Sequence, residues 1–135
     1  MRCLGGMRYQ SVTTRYLMYS AQLLDHFEHP RNAGDLPDGH AHVRVENPAC
    51  GDILELFVRL EGDSIDAITF RAKGCVPLMA CSSAVTELAS GKSLSDALKI
   101  TRQDVERAVG GVPPASGHAA VLAADALQAV LEKLS

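Results

Sequence analysis

The sequence contains no tryptophan and few aromatic residues of any kind. Phe and Tyr make up 4% of the 135 residues, which argues against a protein that binds bases or sugar rings by stacking. Basic residues are also outnumbered, with 13 Lys and Arg against 16 Asp and Glu and a net charge of -3. Such a chain has no broad positive field to attract a phosphate backbone, so we expect no nucleic-acid partner.

Long apolar runs are absent as well. No segment approaches the roughly 18 to 20 apolar residues that a membrane-spanning helix needs, and the N-terminal region lacks the continuous apolar stretch of a secretory signal. The four cysteines are fewer than small secreted domains use for a disulfide framework, so we expect reduced thiols. These features predict a cytoplasmic protein without a membrane partner, whose chemistry comes from Cys, His and Asp side chains.

The chain divides into a short N-terminal extension and one domain. Residues 1–18 show no steady hydrophobic period and contain three arginines but no acidic residue, so we interpret them as a loose extension. We expect a single domain over residues 19–135, because a chain of this length with 47% hydrophobic residues suits one core.

The period of the apolar residues changes along this domain. A helical period follows Ser20 and ends before Pro30, which cannot continue a helix. Apolar and polar residues then alternate over 43–46, 54–60 and 68–73, the pattern of half-buried strands. A tight turn between the last two runs predicts an antiparallel hairpin.

Helical spacing returns after Gly74. The first of these helices is predicted to end near Gly91. Two short helices follow Ser93 and Thr101, which begin sequences typical of capping boxes. An amphipathic helix over 121–134 closes the chain. The order of elements predicts a single-domain α+β fold, a three-stranded antiparallel sheet with helices packed on one face.

Four side chains able to bind a metal lie at the ends of predicted elements. Cys50 and Asp52 stand in the turn between the first two strands, so a thiolate and a carboxylate project from one loop. Cys75 follows Gly74 where a strand meets a helix, and the partial positive charge of a helix N-terminus favours a thiolate there. His118, near the start of the last helix, would complete four-coordinate ligation.

Each of these residues has an ordinary structural interpretation when it is taken alone. Cysteine is among the most commonly buried residues, and a single histidine is more often structural than a ligand. Asp52 would be a turn residue that hydrogen-bonds its own backbone, and His118 an ordinary residue of a helix N-terminus. The metal site is favoured only if something links the four positions.

A resemblance to a known family links them. The shared segments, in order, are YSAQLLDHFEHPRNAG at 19–34, NPACGD at 47–52, GC at 74–75, TELASGKSL at 86–94, and PP followed by His118. From about Tyr19 to Leu134 the chain resembles the IscU/NifU-type iron-sulfur cluster assembly scaffolds, which covers nearly all of the predicted domain. The resemblance implies the fold of the NifU N-terminal domain.

The resemblance also implies a ligand set. The first cysteine and the aspartate of the family fall on Cys50 and Asp52, the second cysteine on Cys75 and the histidine on His118. The third cysteine is replaced by Ala119, which has no ligand atom. Family members hold a [2Fe-2S] cluster or zinc with three cysteines and the aspartate or histidine. Zinc accepts the remaining set of two thiolates, a carboxylate and an imidazole, and an iron-sulfur cluster tolerates it with altered potential and stability.

The implied function is assembly of a transient [2Fe-2S] cluster from iron and sulfur. In the family, a cysteine desulfurase delivers sulfur to a reactive cysteine, iron enters, and the cluster passes to iron-sulfur acceptor proteins, so the protein is a carrier and not an enzyme. The segment 111–116 lacks the lysine of the Leu-Pro-Pro-Val-Lys sequence that many bacterial members present to an Hsp70-type chaperone. The resemblance therefore leaves that partnership undecided, and it leaves a homo-oligomer open.

Two other functions remain as alternatives. A zinc-binding regulatory or structural module would keep the fold after loss of the third cysteine and would form no coloured cluster. An enzyme with Cys75 as nucleophile and His118 as base ranks last, because no oxyanion or substrate motif accompanies the pair.

Cys81 lies about 120° around the predicted helix from Cys75, so we interpret it as a core residue. Cys3 is interpreted as an unpaired thiol of the extension.

Overall fold

A three-stranded sheet and two long helices form the framework. The computed structural model describes residues 19–49 and 51–135, so the predicted extension at 1–18 and Cys3 lie outside the described residues. The elements in chain order are helix α1 (Ala21–Glu28), strands β1 (Ala41–Asn47), β2 (Asp52–Glu61) and β3 (Ser64–Lys73), helices α2 (Val76–Ala89), α3 (Leu94–Ala97) and α4 (Arg102–Ala108), a 3-10 turn (Pro114–Ser116) and helix α5 (Gly117–Glu132). None of the helices described is long and apolar enough to cross a membrane.

The two faces of the sheet differ as the alternation of its residues predicts. The strands lie in the order β1-β2-β3 with both pairs antiparallel. Leu54, Leu56 and Val58 are completely buried, while the residues between them are partly exposed. Helix α2 covers this buried face over β3, and α5 covers it over β1 and β2. Burial of one such side chain contributes about 1.5–3 kcal/mol to stability. A one-residue slip of the strand would expose all three side chains, so their burial determines the strand register. The predicted α+β fold is confirmed.

Side-chain caps mark the starts of the two short helices. Thr101 and Asp104 form the complete capping box predicted at α4, each side chain bonding the backbone of the other. At α3, Ser93 accepts a hydrogen bond from the amide of Asp96. The Asp96 carboxylate, however, lies 3.8 Å from Lys99 and does not return to the helix start. The second predicted capping box is therefore half formed.

The loop after α1 covers one edge of the sheet. The Phe70 amide donates to the carbonyl of Asn32 at 3.0 Å, and the Gly34 amide donates to the carbonyl of Phe70 at 2.8 Å. These bonds satisfy backbone groups on the outer edge of β3. No strand among the described residues pairs with the outer edge of β1. Among the described residues, the outer edge of β3 is therefore hydrogen-bonded to a loop, whereas the outer edge of β1 has no paired strand.

A buried histidine joins α1 to α2. His26 is 5% exposed, and its Nδ1 lies 2.8 Å from the hydroxyl of Ser83. That hydroxyl also accepts the Arg31 amide at 2.8 Å, so we assign its own proton to the bond with Nδ1. The Nε2 proton of the neutral ring then points toward Glu87, whose carboxylate is 3.6 Å away. Burial, with a smaller contribution from the Arg31 charge, lowers the pKa of His26.

We expect acid to destabilise the fold through this histidine. A base whose pKa is lowered on folding binds its proton more tightly in the unfolded chain, so its contribution to stability is lost as the pH falls below the ordinary value of 6.5. The free energy of unfolding should fall by up to about 1.4 kcal/mol per pH unit between the unfolded and folded pKa values. Urea unfolding of wild type and His26→Asn across this range measures the loss, which the variant should lack.

His29→Asn is the matched control. His29 lies at the end of the same helix but is exposed, so its replacement should leave the acid-dependent loss of stability unchanged. Equal pH dependence in His26→Asn and in wild type would show that the buried ring does not carry the effect.

Candidate metal centre

Three element ends meet at one end of the sheet, and each carries a predicted ligand. Asp52 is the first residue of β2 and pairs with Asn47 of β1. Cys75 is the N-cap residue of α2, two positions after the end of β3. His118 is the second residue of α5. A strand start and two helix N-termini therefore bring together residues that are far apart in the sequence.

The ligand atoms of these side chains form a small triangle. Nε2 of His118 lies 3.1 Å from Oδ2 of Asp52. Sγ of Cys75 lies 3.9 Å from each of these two atoms. Ligands bound about 2.0–2.3 Å from a tetrahedral zinc ion stand roughly 3.3–3.8 Å from one another. The three atoms thus come within a few tenths of an ångström of this spacing and offer a mixture of N, O and S donors that one metal ion accepts.

The three residues differ in their access to solvent. The side chain of Asp52 is 3% exposed, whereas that of His118 is 30% exposed, and Cys75 is half-buried. A buried carboxylate without a polar partner is strongly unfavourable, and the His118 imidazole supplies the hydrogen bond it needs. The triangle is closed on the carboxylate side and accessible at the imidazole and the thiol.

A glycine makes room for the buried carboxylate. A Cβ atom at Gly74 would collide with the carboxylate oxygen of Asp52 and would lie 2.9 Å from Cδ2 of Leu78. Glycine alone permits such a close approach of the backbone. The sequence shows Gly74 only as the neighbour of Cys75, and its contact with the first strand residue of β2 becomes visible in the structure.

The turn before β2 requires one correction. Asp52 does not lie in the turn, as predicted, because it begins the strand and its backbone pairs with Asn47. Its carboxylate bonds His118 and not its own backbone. Cys50, the other predicted ligand of this segment, lies outside the described residues, and its place in the ligand set stays a prediction. The strand position of Asp52 fixes the direction of its side chain more firmly than a turn would.

Cys81 and Ala119 contribute to the core. Cys81 is completely buried in α2, which confirms its interpretation as a core residue. Burial raises the pKa of its thiol to about 12, and the charges of Cys75 and Glu106 add to that effect. Ala119 follows His118 and is also completely buried. Its methyl group offers no ligand atom.

We expect Gly74→Ala to weaken metal binding. The added methyl group displaces the Asp52 carboxylate, and loss of a contact that orients a ligand lowers metal affinity roughly 10- to 100-fold. Competition with a chromophoric zinc chelator measures the affinity of wild type and variant. An affinity equal to that of wild type would contradict the steric role of Gly74.

Gly62→Ala is the matched control for this variant. At Gly62 the backbone φ is +65°, which strains an added side chain, but nothing lies within 4 Å of the added Cβ. The control should lose stability and keep wild-type zinc affinity. A similar loss of affinity in both variants would assign the effect to general destabilisation.

The family model described as the NifU-like N terminal domain matches residues 18–135. The chain belongs to this family. The match covers the sheet, all the helices described and the three converging side chains. It confirms the family to which the sequence motifs pointed, while the replacement of a third cysteine by Ala119 stays a prediction.

Curated relatives and solved structures agree with this assignment. Iron-sulfur cluster assembly scaffold protein IscU 1 of Archaeoglobus fulgidus is 43% identical over 111 residues, which cover 82% of this chain and 72% of the relative. Iron-sulfur cluster assembly scaffold protein IscU of Escherichia coli K12 is 35% identical over 119 residues, covering 85% and 92%. The N-terminal part of a nitrogen-fixing NifU-like protein from Brucella abortus has a TM-score of 0.74 with 15% identity, over 89% of this chain and 96% of that one. The last comparison shows a shared fold.

Proposed function

We propose that this protein is a scaffold on which an iron-sulfur cluster is assembled before its transfer to an acceptor protein. The observation that carries the proposal is the convergence of Asp52, Cys75 and His118 in a chain whose relatives are named iron-sulfur cluster assembly scaffolds. Thiolate, imidazole and carboxylate are all ligands of iron in proteins. Iron and sulfide are the cargo, so the protein acts as a carrier and not as an enzyme.

The proposed ligand set is Cys50, Asp52, Cys75 and His118. Cys50 precedes Asp52 by two positions and supplies the fourth donor, since Ala119 has none. His118 is then a required ligand. The scaffold domain spans residues 19–135 and works in the cytoplasm, where thiols remain reduced and available to metal.

Sulfur enters from the persulfide of a cysteine desulfurase. The thiolate of Cys75 attacks the outer sulfur of that persulfide, the sulfur–sulfur bond breaks, and the desulfurase cysteine leaves as a thiolate. Cys75 then carries the persulfide, and an external reductant supplies two electrons to convert the outer sulfur into sulfide. The position of Cys75 at the N-terminus of α2, half-buried, supports this role because a helix N-terminus favours the thiolate.

The mixed ligand set favours release of the finished cluster. The carboxylate of Asp52 is a harder ligand than a thiolate and suits iron less well in a cluster. The exposed side of the triangle, formed by His118 and Cys75, gives ligands of an acceptor protein access to the metal. Ligand exchange from this side transfers the cluster.

A zinc-binding regulatory or structural module of the same fold is the second candidate. The observation that favours it is the spacing of the three donor atoms, which all lie within 4.8 Å of one another and come close to the separations of tetrahedral zinc ligands. Such a module binds zinc tightly and assembles no cluster.

Anaerobic reconstitution separates the two functions. Wild type incubated with ferrous iron, cysteine and a cysteine desulfurase should gain thiolate-to-iron charge-transfer bands and equal amounts of bound iron and sulfide. Cys75→Ala and His118→Ala should lose most of both, because each removes one of four ligands. Cys81→Ala is the matched control, since it removes a buried thiol of the same helix and should retain the bands. Circular dichroism verifies that each variant is folded.

The outcomes point in different directions. Zinc uptake by wild type without visible bands would make the zinc module the better account. Retention of full cluster content by folded His118→Ala would remove the imidazole from the ligand set.

A further inference from the structure

The outer edge of β1 directs alternate backbone groups into solvent. The amide of His40 donates to the carbonyl of Val58 at 2.7 Å, so Val58, which lies opposite Ala41, turns its backbone groups toward β1. Alternate residues of an antiparallel strand direct their backbone groups to opposite edges. Ala41 and every second residue after it therefore direct their backbone groups toward β2. Arg44 and Glu46, which lie between those positions, direct their backbone groups away from β2.

One contact at this edge supports the same direction. The carbonyl of His42, two positions before Arg44, accepts a hydrogen bond from Nζ of Lys133 at the end of α5 (2.7 Å). Lys133 thus occupies one end of the edge. Within the described residues, no hydrogen bond from outside the sheet reaches the backbone of Arg44 or Glu46. The centre of the outer edge of β1 is therefore available for pairing.

The apolar side of the edge strand is incompletely covered. Val43 and Val45 pack against the core but remain partly exposed, whereas their β2 partners Leu56 and Leu54 are completely buried. An open edge with partly exposed valines favours pairing with another strand.

The charged side chains at this edge are complementary to those of a second copy of the same strand. Arg44 and Glu46 project from the same face of β1, with side chains 49% and 47% exposed, and contact each other within the chain. If two copies of β1 pair antiparallel with Val45 opposite Val45, each Arg44 lies opposite Glu46 of the second copy. Opposite charges in such cross-strand positions stabilise the pair.

We propose that this protein forms a symmetric dimer through the outer edge of β1, with the two-fold axis at Val45. The backbone groups of Arg44 and Glu46 bond those of the second copy, and the two sheets join into one. This is an isologous contact, in which the same residues serve both sides.

The helices above the sheet fit this arrangement. Helix α5 packs on both β1 and β2, so its axis lies above the space between them. With neighbouring strands about 4.8 Å apart, the two copies of α5 stand roughly 10 Å from each other. Packed helices have axes about 8–10 Å apart, so this spacing leaves room for the two copies of α5 side by side.

The two metal centres of the dimer stay separate. Asp52 lies opposite Asn47, two residues from the axis, on the strand next to β1. Strand dimensions then place the two copies of Asp52 roughly 20 Å apart, too far to share one cluster. Dimer formation is therefore independent of metal.

Charge reversal tests this interface in sedimentation experiments on the full chain with chelator and reductant present. Wild type should show a concentration-dependent dimer. R44E and E46R each place like charges opposite one another, and each should raise the dimer dissociation constant about tenfold. An equimolar mixture of the two variants restores opposite charges at both positions and should dimerise as wild type does, as should the double variant R44E/E46R. Amide exchange at Arg44 and Glu46 should slow as wild-type concentration rises.

A wild-type chain that stays monomeric up to about millimolar concentration, where edge pairing of this size should be detectable, would overturn the proposal. A mixture of R44E and E46R no tighter than either variant alone would also overturn it. Since no metal is present, neither result bears on the scaffold function, and failed cluster assembly would leave the dimer standing.

Discussion

The buried carboxylate of Asp52, at the start of β2, is the contact point for the two helix starts that surround it. Withdrawing the charge of Asp52 from water is unfavourable by several kcal/mol unless a polar partner offsets it. His118 provides that partner at 3.1 Å, which ties the first turn of α5 to β2. The same carboxylate lies directly against Gly74, where a Cβ atom would collide with it. This contact places the start of α2 next to the start of β2. The starts of α5 and α2 thus both lie against one buried carboxylate.

Helix α2 connects this end of the molecule to a second polar cluster. Its N-cap residue, Cys75, is one corner of the triangle, and farther along the helix Ser83 and Glu87 contact the buried ring of His26. Most residues of the helix are buried against the sheet, α1 and α5. A helix with so little exposed surface has few ways to move without disturbing both clusters.

The sequence predicted most of the fold because the information is local. Alternation over 54–60 identified β2 and its buried face, and the angle between Cys75 and Cys81 on a helix placed Cys81 in the core. The contact between Asp52 and His118 joins residues 66 positions apart, and only the family resemblance, not the period of either element, suggested it. His26 was missed, although it lies three positions after Leu23 and therefore on the same buried side of α1.

The cramped contact at Gly74 also restricts how the sequence can change over time. A larger residue at position 74 is most harmful while position 52 carries a carboxylate that fills the same space, although its Cβ atom also comes within 2.9 Å of Cδ2 of Leu78. The two positions are therefore energetically coupled, and the effects of their substitutions should not add. A lineage that shortened the side chain at position 52 first would remove the larger of the two obstacles to replacing the glycine, whereas the reverse order passes through a chain with a displaced carboxylate. The order in which the two replacements occur thus changes how unstable the intermediate sequence is.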